Sequence, residues 1–287
     1  VNTARVYDRC ATVVLWVTAV AFLLLPGWIM LEMVSTGWNH LDFEFLFSSP
    51  VDSGRQGGIA PIVVSTGLIL ICCMAAVLPV GLGCALYLSE KVEMETKLAF
   101  RTRQALDVLS GVPSIVYGLF GYVFFAQVLQ LGFSILSGGL TLACMVLPLF
   151  IRLSEQALRS VPYRYRQAAN ALNLSQFAYV RKIALPVAAQ GIASAFIVAT
   201  GRALAETAVL IFTAGYVARY PGSIMDSGRS LSVHIYDLAM NVPGGSEPAA
   251  ATALVLIALL IAINWLARRL ASGFPVARLP LKRLLGR

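Results

Sequence analysis

Arg202 and Glu206 stand four residues apart inside GRALAETAVLIFTAG (201–215), an otherwise apolar run. A guanidinium is charged at every physiological pH, and its planar, forked donors match two oxygens of a tetrahedral anion. A carboxylate one helical turn away shares its face and can pair with it. Thr207 adds a hydroxyl beside them. The chemistry this supports is transient binding of an oxyanion, with Arg202 as ligand and Glu206 holding its fork and keeping the empty site near neutral. The other reading is a buried ion pair that fixes helix register and touches no substrate. Arg152 and Glu155 form a second pair near the end of another apolar run. There the alternative is an arginine that snorkels to the interface and anchors its helix. Ser114 and Tyr117, in PSIVYG, either line a route or simply pack.

The elements that carry these residues are membrane spans. Of 287 residues 58% are hydrophobic and only 13% charged, against roughly a quarter charged in soluble domains. Six apolar segments near 11–34, 61–89, 107–132, 135–156, 186–215 and 249–267 are long enough to cross a bilayer at about 20 residues each. The fold class expected is all-α: a polytopic membrane helix bundle of six transmembrane helices in a single transmembrane domain over 1–287. Pro26, Pro79, Pro113 and Pro148 lie within the spans and are tolerated where neighbouring helices satisfy the freed backbone groups.

Charge sets the orientation. With the N-terminus inside, the cytoplasmic segments hold 18 of the 22 lysines and arginines, among them Arg5, Arg9, Lys91, Lys97, Arg101, Arg103, Arg278, Lys282, Arg283 and Arg287. The outer segments hold Arg55, Arg219 and Arg229, and Arg202 lies within a span. That bias predicts N-in, C-in, and it explains the net charge of +8 without nucleic-acid binding. The five cysteines form no C-x-x-C pair and lie mostly in apolar runs, as packing residues do. His40 and His234 fall outside the spans, and no metal site is legible. The first apolar run is too long, and lacks the small-residue site, for a cleavable signal peptide. In the outer loop 216–248, SLSVHIYDLAM has helical spacing. It reads either as a short helix lying on the outer face or as a linker with one amphipathic turn.

Between spans four and five, LRSVPYRYRQAANALNLSQFAYVRKIALP (158–186) is longer than antiparallel neighbours need. It reads as a basic helix, a hinge at Asn173, which tolerates a left-handed backbone, and a second helix capped by Ser175. Such a helix–turn–helix suits insertion into a partner's groove; a surface helix that merely connects spans is the alternative. The loop resembles that of ABC importer permeases, E-A-A, three residues, G, nine residues, I-x-L-P. Here the matching positions are Gln167, Ala168, Ala169, Asn173, Ile183, Leu185 and Pro186, at every interval. Gln167 replaces the usual glutamate and loses its charge, while Asn173 replaces glycine and preserves the turn.

The resemblance extends over nearly the whole chain to phosphate importer permeases of the PstA type. It is carried by GGIAPIVVSTGLIL, SGVPSIVYGLFGY, LPLFIRLSEQALRSVPY, GRALAETAVLIFTA and LSVHIYDLAMN. Ala205 stands where that family usually has glycine. The resemblance implies a type I importer permease in the inner or plasma membrane of a prokaryote, its 158–186 loop serving as coupling helix. It implies as partners an ATPase subunit dimer, a second, paralogous permease and an extracytoplasmic phosphate-binding protein. ATP and Mg²⁺ would be bound by the ATPase, since this chain has no G-x-x-x-x-G-K-[ST] loop, and the chain itself carries no cofactor. It also implies that Arg202 and Arg152 are transport-associated. A permease for another oxyanion or a phosphonate remains the nearest alternative. An ion-gradient transporter would carry paired repeats and a carboxylate relay, and an intramembrane enzyme would need a catalytic constellation absent from this sequence.

Overall fold

The computed structural model describes residues 2–90 and 97–272, with α1 at Asn2–Gly37, α2 at Phe43–Phe47, α3 at Ala60–Glu90, α4 at Lys97–Ser110, α5 at Ser114–Gly121 and α6 at Ile135–Arg159. There follow α7 at Tyr163–Ala171, α8 at Gln176–Tyr179, α9 at Leu185–Ala205, α10 at Ala208–Thr213, α11 at Leu231–Met240 and α12 at Ser246–Ser272. A two-residue hairpin pairs β1, Pro50–Val51, antiparallel with β2, Gln56–Gly57. Lys91, Arg278, Lys282, Arg283 and Arg287 lie outside the described residues.

Among the described residues, five helices are long and apolar enough to span a membrane. A bent pair, Lys97–Ser110 with Ser114–Val128, turned by 99°, makes a sixth if it is counted as one span. The expected third span, 107–132, runs across this elbow. Its first residues belong to α4, a separate helix ahead of the turn. Pro113 is the cause: it disfavours helical geometry at Val112, and α5 restarts directly after it. Beyond α5 the helix continues as a wide π-turn over Tyr122–Val128.

The expected fifth span, 186–215, is also interrupted. α9 stops at Ala205, Glu206 takes extended geometry (φ −77°, ψ 128°), and α10 begins at Ala208.

The chain forms two compact units. One holds the described residues up to Ala60 with Ile235–Val255, the other Pro61–His234 with the residues from Leu256. In the first, Gly37 lets the outer end of α1 approach the α12 backbone, where a Cβ would lie 2.6 Å from Ala251 N. The apolar stretch of α1 is otherwise wholly exposed.

In the second unit α3, α6, α9 and α10 enclose the core, with Cys73, Val77, Val146, Phe150, Ala199, Val209 and Leu210 buried. Small residues bring these helices close. A Cβ on Gly139 would meet Cys72 Cβ at 2.6 Å, and one on Gly121 would meet Thr141 Oγ1 at 2.1 Å. Such spacing is how membrane helices associate without a hydrophobic driving force between them. Ser134 caps α6, its hydroxyl accepting from Ser137 N at 3.1 Å. The first turn of α11 is buried, Leu231 through His234.

Candidate functional site

Arg202 lies on the last turn of α9, about 26 Å along the helix from Leu185 at 1.5 Å per residue. The apolar α10 follows it, so the guanidinium sits within the apolar run and not at its end. Its side chain is exposed and, among the described residues, makes no hydrogen bond or ion pair. The expected pairing with Glu206 is not made, because the pairing presumed an unbroken helix. Glu206 lies beyond the last helical turn, and its carboxylate remains only within electrostatic range of Arg202.

The Ser114 hydroxyl at the start of α5 faces that carboxylate. Tyr117, one turn further on, is also within electrostatic range of Arg202 and donates its hydroxyl to Leu109 O at 2.9 Å. The two breaks in the helices thus meet, and Ser114, Tyr117, Arg202 and Glu206 gather around one locus. Thr207 stands at the start of α10, half-buried.

The broken backbone is stabilised by tertiary contacts. Ser232 at the buried start of α11 donates to Glu206 O at 2.7 Å and shares a hydrogen bond of 3.0 Å with Ser230. Leu231 N donates to Thr66 Oγ1 on α3 at 2.9 Å. Irregular backbone at membrane depth is tolerated only where protein or water satisfies it, and here protein does so.

Below Arg202, Gln190, Ser194 and Val198 are exposed at four-residue intervals on α9. The opposite side buries Ala188, Ala195, Ala199 and Ala203 in the core. This stripe was not recognised in the sequence; polar residues spaced by four in an alanine-rich span were the available signal.

At the inner end, Glu155 is almost fully buried, its side chain 4% exposed. It accepts from Arg103 Nε at 2.9 Å and from Arg159 Nη2 at 2.6 Å. Arg152 Nη1 stands 3.9 Å from it, while Nη2 of Arg152 pairs with Asp107 on α4. The pair expected from sequence is therefore one edge of a network of three arginines and two carboxylates. Arg103 and Asp107 were missed as members because α4 and α6 meet only in three dimensions; Arg159, four residues after Glu155 on α6, had a helical spacing that could have found it. A guanidinium surplus at this end favours an anion.

The loop after α6 has the expected hinge and cap, but its second helix does not end at Pro186: it runs on through a π-turn at Val180–Ala184 into α9. Asn173 takes φ +50°, and Ser175 Oγ accepts from Ala178 N at 3.3 Å to cap α8. Ala169, Tyr179 and Ala184 are buried together, with Leu174, Val180 and Ile183 packed against them. Leu185 is half-buried. Gln167, Ala168, Asn173 and Pro186 face outward, as do Tyr163, Leu172 and Phe177. Apolar side chains exposed on a basic loop suit a docking surface.

The family model described as binding-protein-dependent transport system inner membrane component matches residues 78–274. The phosphate transport system permease protein PstA 2 of Mycobacterium tuberculosis is 33% identical over 278 residues, covering 92% of this chain and 91% of that protein. The probable ABC transporter permease protein YqgI of Bacillus subtilis is 28% identical over 283 residues, covering 93% and 96%. A chain of the MetNI methionine ABC transporter, solved in inward-facing conformations, superposes with a TM-score of 0.60 at 16% identity. The match covers 75% of this chain and 96% of that one, which is a likeness of fold.

Proposed function

We propose, for a chain that belongs to the binding-protein-dependent transport system inner membrane component family, that it passes inorganic phosphate inward as the permease subunit of an ATP-driven importer. The observation that carries this is Arg202, exposed on α9 within the apolar run and, among the described residues, without an ion-pair partner. A charge at the bilayer centre costs about 2.5 kcal/mol or more if it faces lipid, and less toward the outer side, where Arg202 lies on the last turn of α9. Facing a second subunit or a wet route removes that cost, and its forked donors suit a tetrahedral oxyanion. The polar stripe of Gln190 and Ser194 leads from it toward the inner network, where Arg152 offers a second, partly exposed guanidinium. PstA-type relatives support phosphate as the anion. The more general name of the Bacillus subtilis relative keeps other oxyanions and phosphonates as the second reading.

On this reading Arg202 contacts phosphate briefly, Ser114 and Tyr117 offer hydroxyls, and Glu206 offsets the positive charge of the empty site through space. No tight site is needed, since an extracytoplasmic binding protein would capture the anion and dock on the outer loops. A paralogous permease would form the other wall of the route. Two copies of an ATPase, binding ATP and Mg²⁺, would dock on the 158–186 loops. ATP binding then closes the ATPase dimer and, through differential binding, tilts the bundle between two states. The setting is the plasma membrane of a prokaryote.

The test is uptake in phosphate-starved cells that lack this chain, complemented by it, with radiolabelled phosphate and a panel of unlabelled anions. Restored uptake, competed by phosphate and not by sulfate, molybdate or methylphosphonate, is expected. Restoration of one of those anions' uptake, with none for phosphate, overturns the substrate reading.

A further inference from the structure

We infer that Glu90, the last residue of α3, is a positioning residue that ties the coupling loop to the second span. The inference rests on the reading that the 158–186 loop docks the ATPase. Covalently the loop continues only into α6 and α9, so a pull on it reaches those two spans directly. α3 has no such continuity with it. The link is Glu90 Oε2, which accepts from Arg166 Nη2 on α7 and from Gln176 Nε2 on α8, the latter at 3.0 Å. These donors lie on opposite sides of the Asn173 hinge, so one carboxylate oxygen holds both arms of the loop.

The surroundings favour a working tether over a loose surface pair. The Glu90 side chain is 14% exposed and that of Arg166 23%, so solvent screens the pair weakly. The Arg166 guanidinium also lies over the Tyr179 ring, 5.5 Å from its centroid, and Tyr179 belongs to the buried cluster that unites the loop. The carboxylate is thereby connected to the loop's rigid part. Between the end of α3 and the turn after α6 lies a cavity of about 440 Å³ lined by Ser89, Glu90, Leu158, Tyr163, Arg166 and Tyr179. Among the described residues, apolar packing does not fill this space; the polar clasp bridges it.

The same end of α3 is gripped from another side. Arg103 donates to Leu88 O at 3.1 Å and to Glu155 on α6 at 2.9 Å. α3 is thus tied to α6 through Arg103 and to the loop through Glu90, so loop displacement carries the second span with it. Glu90 also gives Arg166 a carboxylate partner beside Gln167, where the family's usual acid is missing.

The experiment uses the complete transporter in proteoliposomes, with its binding protein and inorganic phosphate, and reads phosphate imported per ATP hydrolysed. Glu90→Arg is expected to keep its ATPase subunits and to hydrolyse ATP while importing about tenfold less per ATP. Glu90→Gln, which keeps the side chain's shape, should fall about threefold. The exchange Glu90→Arg with Arg166→Glu should recover at least half of the wild-type ratio, which a merely structural defect would not do. A wild-type ratio in Glu90→Gln and Glu90→Arg, or no recovery in the assembled exchange variant, overturns the tether alone. Leu172→Asp with Phe177→Asp, both exposed on the loop, tests the reading beneath it. ATPase copurification should be lost, and its retention overturns the docking reading and the tether together.

Discussion

Replacing Arg202 by glutamine isolates the pathway role from the fold, because among the described residues the guanidinium has no hydrogen-bond or ion-pair partner to abandon. Removing one member of a buried pair orphans the other and costs about 3–5 kcal/mol. Arg202 forms no such pair, and Glu206 has Ser114 facing it, so the amount of inserted, assembled chain should not change. Transport should. A hydrogen bond to a charged group contributes about 1.5–3 kcal/mol, and the side chain is exposed, which places the loss at the lower end. At about 1.4 kcal/mol per tenfold, Arg202→Gln should lower uptake about tenfold. Arg202→Lys keeps the charge without the fork and should lower it about threefold. The assay is initial-rate uptake of radiolabelled phosphate at sub-saturating concentration, normalised to membrane abundance and to copurified ATPase. Uptake within twofold of wild type for Arg202→Gln, at equal abundance, would refute the pathway role and leave Arg202 as a helix-positioning residue.

Three further outcomes follow from the geometry. Gly121→Ala places a methyl against Thr141 and should cost about 1–3 kcal/mol of overpacking, read as a lowered thermal midpoint of the solubilised complex. Thr141→Ala removes two of the three closest atoms and should recover part of the loss. Glu155→Ala takes the shared acceptor from Arg103 and Arg159; because these arginines are 24% and 40% exposed, the cost should fall near 2 kcal/mol, below the buried-pair range. An unchanged midpoint would mean that water replaces the carboxylate. Ser232→Ala removes the donor to Glu206 O, a net loss of about 1 kcal/mol, so amide exchange around 204–207 should quicken about fivefold; no change would show that another group holds the break.

The features legible in the sequence were those written locally. The left-handed turn at Asn173 and the Ser175 cap depend on adjacent residues, and both are present. The apolar runs are likewise local and correspond to the crossing helices. The elbow before α5 had a local signal in Gly-Val-Pro, but hydropathy averaging ran across it. The break at Glu206 had none: ALAETAVL contains neither proline nor glycine. It is held by Ser232, 26 residues away in sequence, and the Ser114 hydroxyl faces it from α5. Periodicity assumes that the helix continues, so it placed Arg202 and Glu206 on a shared face. The Glu155 network and the Glu90 clasp join residues up to 86 apart, and no spacing rule reaches so far.

The elbow also leaves α5 with its π-turn too short to cross alone. From Ser114 to Val128 the rise is about 22 Å at α-helical pitch, against a hydrocarbon thickness of about 30 Å. α4 covers depth on the inner side, since its Asp107 pairs with Arg152 toward the inner end of α6. Counted as one span, the two helices meet at 99°, with Ser114 and Tyr117 beside Arg202 near their joint. Matching a thicker or thinner bilayer costs a fraction of a kcal/mol for each ångström, and a joint yields more readily than a straight helix. Acyl-chain length then becomes a control on transport: turnover should change with lipid thickness without any side chain being altered.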